Sequence, residues 1–478
     1  MLAAGLVLGC KDNPGFAISP DGPAPDTTTS VAESGTTIPP DVSTSSGDVT
    51  STFEPTTSTT EAPPLTTTTT GEPPPSCTDG ILDDGEECDD GNQLPHDDCN
   101  NHCRVTFDPI VVRDDPEAGC TALLAAPLDP GDDLIDLLLI RGKSTPDLQV
   151  LENDGDGGFV DNGHIFNTVV STDVVLARTI DGDDELDIIA MPGNISLCLN
   201  NGDELCGEGK EIGIPEPQLG TFMYVPGLLA VDEMVVGDPN KPGLDAVVIV
   251  KQINTQKNVL GIMPGDGKGM FGLIMPSLFY EDIALGQDLA LAVGEVIPPA
   301  DSPDVIVAYT FEGNYYVSLF YNFAGDAENP TGPFKFNGPV TSLAIADLGV
   351  GDELGDIIVA IPEIKEIRFI GDANTDGFGI QPDVLTIGSN ETKVVAAPLR
   401  GDGTRDIVTF EEGGTAVRVA AVLGGKLPDK SYPHETTIAG LTDFVVADFD
   451  GDGDGDIAVV NSECSVRVLV NQSIVEKP

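Results

Sequence analysis

The sequence predicts an all-β protein, a seven-bladed β-propeller preceded by a small disulfide-rich module and a disordered stalk. Two observations predict the propeller: an acidic turn followed by an apolar run recurs along the chain, and its period is close to 50 residues. The last acids of these turns are Asp136, Asp187, Asp245, Asp304, Asp356, Asp406 and Asp456, at spacings of 51, 58, 59, 52, 50 and 50 residues. Such a period is typical of propeller arrays, in which one small sheet cannot bury its apolar faces alone. Seven units predict a closed ring.

Each repeat contains about four strand-like segments, the number expected of a propeller blade. One apolar run precedes the acidic turn and another follows it, as in 444–450 and 457–460. A third run lies downstream, as in 466–470, and glycine-rich hairpins such as 153–159 lead into a short fourth strand. The pattern therefore predicts one four-stranded sheet per repeat.

The two ends of the array predict how the ring closes. The seventh repeat ends after its third strand, near Asn471, so its outer strand is missing from the C-terminal end. The strand-like run 107–112 precedes the first repeat, and we expect it to complete the last blade and to leave no unpaired edge. In that topology Cys120 and Cys464 lie in connections on the same face, which predicts a disulfide that locks the ring.

The most acidic turn runs from Asp448 to Asp456 and has an acid at every second position. Asp448, Asp450, Asp452 and Asp456 occupy loop positions 1, 3, 5 and 9. Carboxylates at these positions can converge on one hard cation, and the glycines between them permit the sharp turn. The alternative is that the acids only keep the turn soluble. The spacing favours a calcium site, because without a cation these charges repel one another.

The DFDGDGDGDIAVV turn, the NDGDGGF hairpin and the period resemble FG-GAP/VCBS repeats, from about residue 106 to residue 475. The resemblance implies a seven-bladed propeller like those of integrin α subunits and many bacterial surface proteins. It also implies calcium ligands at positions 1, 3, 5 and 9, with the carbonyl of Asp454 at position 7.

The same resemblance implies a second calcium site in the second repeat. Its acids are Asp181, Asp183 and Asp187. Thr179 stands at position 1 there, so we expect a weaker or partly hydrated site. In the sixth repeat Arg400 stands at position 3, where an acid is needed, and we expect no calcium in the third, fourth or sixth repeat.

Cys77, Cys88, Cys99 and Cys103 lie in one short acidic segment, 77–105. So short a segment cannot bury enough apolar surface to fold alone, so we expect two disulfides, with three connectivities open. The alternative is a zinc site that uses two nearby histidines with some of the thiols, but the spacing fits no standard zinc finger. The segment resembles the Myxococcus cysteine-rich repeat.

The remaining cysteines indicate where the protein resides. Cys198 and Cys206 flank a tight turn and are predicted to pair, so that eight of the nine cysteines form disulfides, as in an oxidising compartment. The ninth, Cys10, follows a run that resembles a bacterial lipobox, so residues 1–10 are interpreted as a lipoprotein signal with Cys10 lipidated. No basic residue precedes the run and it is only nine residues long, so we expect the true start upstream.

Residues 11–76 are rich in Thr, Ser and Pro and contain almost nothing that could form a core. This composition predicts a disordered stalk between the anchor and the folded region 106–478. We therefore expect membrane attachment only through the lipid anchor, at the bacterial outer membrane or cell surface.

The charge and the motifs limit the function. A net charge of -58, from 80 acids and 22 bases, argues against nucleic acid as a partner and favours cations. No nucleophile elbow, phosphate-binding glycine loop or zinc-protease motif occurs in the sequence. The predicted function is a calcium-binding module for an extracellular protein or glycan, and not an enzyme. Two alternatives stay open: a hydrolase or lyase acting on polysaccharide or lipid, and a structural envelope subunit.

Overall fold

Short antiparallel strands make up nearly all the regular structure in this computed structural model. It describes residues 86–89, 99–100 and 103–472, the last range with gaps; those of five residues or more are 114–118, 142–146, 168–174, 181–185, 201–209, 213–221, 233–244, 273–286, 297–302, 321–330, 349–354 and 372–378. The predicted signal segment, the stalk, Cys10, Cys77, Cys206, Asp181 and Asp183 lie outside the described residues.

The disulfide-rich module contributes one small two-stranded sheet. It is formed by β1 (Cys99–Asn100) and β2 (Arg104–Val105). Cys88 is bonded to Cys99, and Cys103 is disulfide-bonded as well. The next strand is β3 (Phe107–Arg113).

In the described residues seven larger sheets follow. Six are built from strands that are consecutive in the chain, and the seventh also includes β3. The first sheet contains β4 (Cys120–Ala126), β5 (Asp136–Arg141), β6 (Asp147–Asn153), β7 (Phe159–Val160) and β8 (Ile165–Asn167). The second contains β9 (Val175–Arg178), β10 (Asp187–Ala190), β11 (Ile195–Cys198) and β12 (Lys210–Ile212). The third contains β13 (Phe222–Asp232), β14 (Asp245–Gln252) and β15 (Asn258–Met263).

The other four sheets repeat the same order. The fourth contains β16 (Gln287–Gly294), β17 (Asp304–Phe311), β18 (Asn314–Phe320) and β19 (Thr331–Phe336). The fifth contains β20 (Ser342–Ala346), β21 (Asp356–Ile361), β22 (Glu366–Gly371), β23 (Gly379–Ile380) and β24 (Leu385–Thr386), with a 3-10 turn at Pro362–Ile364. The sixth contains β25 (Glu391–Ala397), β26 (Asp406–Glu411), β27 (Ala416–Ala420) and β28 (Tyr432–Glu435). The seventh contains β29 (Leu441–Ala447), β30 (Asp456–Asn461) and β31 (Val466–Asn471), and β3 pairs with β31 as its outer strand.

The second strand of every sheet begins at the aligned acid of its repeat. Each of these acids pairs with the last residue of the first strand, as Asp456 does with Ala447. The second strands in the first, fifth and seventh sheets are buried along their whole length. They lie in the middle of sheets that are covered on both faces, which is why they read as continuous apolar runs.

Apolar side chains fill the spaces between successive sheets. In the described residues, such clusters join the first sheet to the second, the third through the seventh to one another in order, and the seventh to the first. The last of them brings Val445, Phe449 and Val460 against Leu123, Leu139 and Leu151. Sheets packed face to face in this cyclic order form a β-propeller. The prediction of seven blades remains a prediction, because much of the chain between the second and third sheets lies outside the described residues.

The two ends of the repeat array meet in the way that the sequence predicted. β3 is antiparallel to β31, with Phe107 opposite Asn471, so an N-terminal strand completes the sheet made by the last three strands. Cys120 and Cys464 are joined by a disulfide across the same junction.

In the part of the chain that the structure describes, no helix is long and apolar enough to cross a membrane.

Candidate metal centre

The acid that begins each second strand fixes the turn before it. In most repeats this side chain is almost completely buried. One carboxylate oxygen accepts a backbone N–H from the turn, as with Asp136 and Leu128 (2.9 Å) or Asp187 and Ile180 (2.7 Å). The other oxygen accepts an N–H at or just after the end of the third strand, as with Asp187 and Asn200 (2.9 Å). One buried carboxylate thus joins the turn after the first strand, the start of the second strand and the end of the third strand. We call this residue the brace acid, or brace, of its blade.

The turn between β29 and β30 adds further acids to this arrangement. Gly451 and Gly453 have positive φ values of 77° and 106°, a backbone conformation that side chains with a Cβ rarely adopt. They turn the chain so that Asp448, Asp450 and Asp456 each place one oxygen within 4.8 Å of the others. Oxygen ligands of one calcium ion lie 2.3–2.6 Å from it and therefore at most about 5 Å apart. The three oxygens fit one calcium ion.

Backbone groups hold these side chains in place. Asp448 accepts the N–H groups of Gly451 (2.7 Å) and Gly453 (3.1 Å). Asp456 accepts those of Phe449 (2.8 Å) and Asn471 (2.7 Å). Each carboxylate oxygen has a second lone pair, so these bonds orient the acids without exhausting their capacity to bind a cation.

The charges of the turn are poorly compensated by the described protein groups. Both carboxylate oxygens of Asp454 are buried and accept no hydrogen bond from the described residues. Burial raises the pKa of Asp454 to about 9, and the charges of Asp452 and Asp456 add to the rise. Burial raises the pKa of Asp456 to about 7, against the lowering effect of its two backbone hydrogen bonds, and it also raises the pKa of Asp448 and of Asp450. At neutral pH the turn therefore favours a bound proton or a bound cation.

The sixth sheet shows what the same position does with a basic side chain. Arg400 stands at position 3, where the seventh repeat has Asp450. Its guanidinium donates to both carboxylate oxygens of Asp406, at 3.0 and 2.8 Å, and to the carbonyl of Val422 at 3.1 Å. Asp406 is the counterpart of Asp456. In the sixth repeat the side chain of Arg400 thus neutralises Asp406. In the seventh repeat the corresponding acid, Asp456, faces two further acids instead.

The predicted ligands of the seventh repeat are only partly brought together. The oxygens of Asp448, Asp450 and Asp456 converge, and the carboxylate of Asp452 lies beside those of Asp450 and Asp454 without being one of the three. Asp452 also accepts the N–H of Asp454 at 3.1 Å. In the second repeat Asp187 is a buried brace, and its predicted partners are outside the described residues. Cys198 is disulfide-bonded, and the residue predicted to pair with it is outside them too.

The sequence reasoning missed an asparagine that links neighbouring blades. Asn153, Asn200 and Asn471 follow the aligned acids of their repeats by 17, 13 and 15 residues. Each donates from Nδ2 to a carbonyl of the preceding blade: Asn153 to Phe449 (2.8 Å), Asn200 to Leu128 (3.2 Å) and Asn471 to Leu399. The signal that would have found them is an asparagine at the end of the third strand of a repeat.

The fold and the acidic turn together define a β-propeller that carries a carboxylate cluster between two strands of one blade. One family model, described as Domain of unknown function (DUF4215), matches residues 72–104, which cover nearly all of the disulfide-rich module. No relative was found among curated proteins.

Similar solved structures were found for most of the chain. A chain from the crystal structure of BBS1N in complex with ARL6DN, soaked with mercury, is 12% identical with a TM-score of 0.49. The match covers 77% of this chain and 97% of that one. A structure of the Dos1 propeller is also 12% identical, with a TM-score of 0.44, and the match covers 77% of this chain and 81% of that one.

Proposed function

We propose that this protein is an exported, lipid-anchored β-propeller that binds calcium in its seventh repeat and serves as a binding module for an extracellular protein or glycan. The observation that carries the calcium part is the convergence of one oxygen each from Asp448, Asp450 and Asp456 within 4.8 Å. The buried carboxyl group of Asp454 supports it, because burial and the neighbouring acids raise its pKa to about 9, so that its ionised form at neutral pH needs a compensating cation.

The pairing of Arg400 with Asp406 supports the same proposal. The brace acid is neutralised by a guanidinium in the sixth repeat, and the seventh repeat has Asp450 in place of that arginine. Substituting an acid for an arginine changes the charge of the turn by two units, so the turn of the seventh repeat needs a positive charge from outside the chain. Calcium is the fitting class of ion, since all the candidate ligands are oxygens.

The rest of the proposal depends on disulfides, charge and fold. The bonds Cys88–Cys99 and Cys120–Cys464 favour an oxidising compartment outside the cytosol. The net charge of -58 disfavours nucleic acid and anionic lipid as ligands. Bound calcium would neutralise the acidic turn and hold the first two strands of the seventh blade in place, and with them the connections on the opposite face where we place the ligand.

The calcium proposal is tested by thermal unfolding of the full chain in calcium and in EDTA. We expect calcium to raise the melting temperature. At a free calcium concentration of 100 times the Kd, the added free energy of unfolding is about 2.7 kcal/mol. Asp450→Ala should abolish this calcium effect. Asp450→Arg, which copies the arrangement of the sixth repeat, should also abolish it but should melt higher in EDTA than Asp450→Ala. A wild-type melting curve that is the same in calcium and in EDTA would contradict the proposal.

The ligand part is tested separately, with arrays of glycans and extracellular proteins probed in calcium and in EDTA. We expect binding that requires calcium and is lost in Asp450→Ala. Turnover of a polysaccharide or lipid on the same arrays would instead favour the hydrolase or lyase alternative.

A further inference from the structure

The acidic turn of the seventh blade rests on the first blade. Asn153, the last residue of β6, donates from Nδ2 to the carbonyl of Phe449 (2.8 Å) and to that of Ile135 (3.0 Å). Phe449 lies between Asp448 and Asp450, so this bond holds the peptide that joins two of the candidate calcium ligands. The side chain that holds it belongs to a strand 296 positions away in the sequence.

The hairpin that follows Asn153 makes further contacts with the turn. Asn153 Oδ1 accepts the N–H of Gly155 (2.9 Å), so the same side chain also orders the start of the hairpin. The rings of Phe159 and Phe449 meet edge to face, with centroids 5.5 Å apart. A Cβ placed on Gly157 would lie 3.6 Å from the Cβ of Asp450, in ordinary van der Waals contact. The first blade therefore supports the turn through a hydrogen bond, an aromatic contact and close backbone packing.

We propose that Asn153 is a positioning residue for the calcium site of the seventh blade, and that calcium binding and closure of the junction between the seventh and first blades stabilise each other. This inference rests on the proposed calcium site. A turn that is already held in the binding geometry loses less conformational entropy when it binds the ion. By thermodynamic reciprocity, an ion that binds better to the closed junction also stabilises the closed junction.

The molecule contains a matched control. Asn200 occupies the same place in the second blade and donates to the carbonyl of Leu128 in the first blade at 3.2 Å. Its backbone N–H is held by a brace acid, as that of Asn153 is. Removing the Asn200 side chain removes an equivalent link between blades but leaves the contacts of the acidic turn intact.

The test is calorimetric titration of the full chain with calcium, using wild type, Asn153→Ala and Asn200→Ala. We expect Asn153→Ala to raise the calcium Kd at least about fivefold, the lower end of common coupling strengths. Asn200→Ala should leave the Kd within about twofold. Phe159→Leu retains an apolar side chain and removes only the ring contact, so it should weaken calcium binding by a smaller factor even if Asn153→Ala folds poorly.

Hydrogen exchange gives the reciprocal readout. Calcium should slow exchange in β29 of the seventh blade and β4 of the first blade, which meet at the junction, where the N–H of Leu123 donates to Asp443 (2.9 Å). Asn153→Ala should reduce this protection more than Asn200→Ala does. If wild type binds calcium and both asparagine variants have the wild-type Kd, the proposed coupling through Asn153 is contradicted, whereas the proposed calcium site is supported. If wild type does not bind calcium, both proposals fail.

Discussion

At the scale of single residues, the aligned acids are first of all structural braces. Asp187 accepts the N–H groups of Ile180 and Asn200 and has no exposed surface. Asp456 makes the same two kinds of bond and in addition faces Asp448 and Asp450. Only the residues added around a brace therefore distinguish a candidate metal site from a plain turn.

This view predicts that Asp187→Ala destabilises the protein whether or not calcium is present. Two buried N–H groups would lose their acceptors, at a cost of about 1–3 kcal/mol each. Asp187→Asn keeps one acceptor oxygen and should cost about half as much. The measurement is the free energy of unfolding from denaturant titration, in calcium and in EDTA. A loss of stability that appears only in calcium would show that Asp187 acts as a ligand instead.

At the scale of a strand, the braces also decide which residues fit opposite them. Gly371 ends β22 and pairs across the sheet with Gly379 of β23. A Cβ on Gly371 would overlap Oδ1 of Asp356, the brace of the fifth blade, whereas a Cβ on Gly379 would meet nothing within 4 Å. Asp356 is itself fixed by the N–H of Leu348 at 3.1 Å, so it cannot move aside without losing that bond.

Gly371→Ala should therefore destabilise the fifth blade, and Gly379→Ala should not. We expect a loss of about 1–3 kcal/mol for Gly371→Ala, the usual range for inserting atoms into a packed site. Gly379→Ala should be neutral or slightly stabilising, because it restricts the unfolded chain. Unfolding midpoints of the two variants give the comparison. Equal midpoints would mean that Asp356 can be displaced at no cost.

The sequence predicted the strands better than the contacts between blades. Each second strand begins at its aligned acid, because a turn, a brace and a buried apolar run are all encoded within about ten residues. The convergence of Asp448, Asp450 and Asp456 was predictable for the same reason. The bond between Asn153 and Phe449 was not, because it spans 296 positions and depends on closure of the ring. Which acids contribute the three convergent oxygens, with Asp452 beside them and not among them, depends on turn geometry that spacing alone does not specify.

At the scale of the whole molecule, several independent contacts close the ring. β3 completes the sheet of β31, apolar side chains of the seventh and first sheets share one core, and Lys393, Asp443 and Leu123 connect three successive blades. The disulfide Cys120–Cys464 spans 344 positions, and Cys88–Cys99 spans only 11. A long cross-link restricts the unfolded chain more strongly than a short one.

Replacing Cys120 and Cys464 by Ser should therefore cost more stability than replacing Cys88 and Cys99 by Ser. The chain-entropy model gives about 6 kcal/mol for the long loop and about 3 kcal/mol for the short one. Denaturant unfolding of both double variants, under non-reducing conditions and in calcium, measures the difference. The short-loop variant is the control for the loss of any disulfide. If both variants lose the same stability, residual structure already keeps the two ends of the unfolded chain near each other, and the covalent bond adds little to closure of the ring.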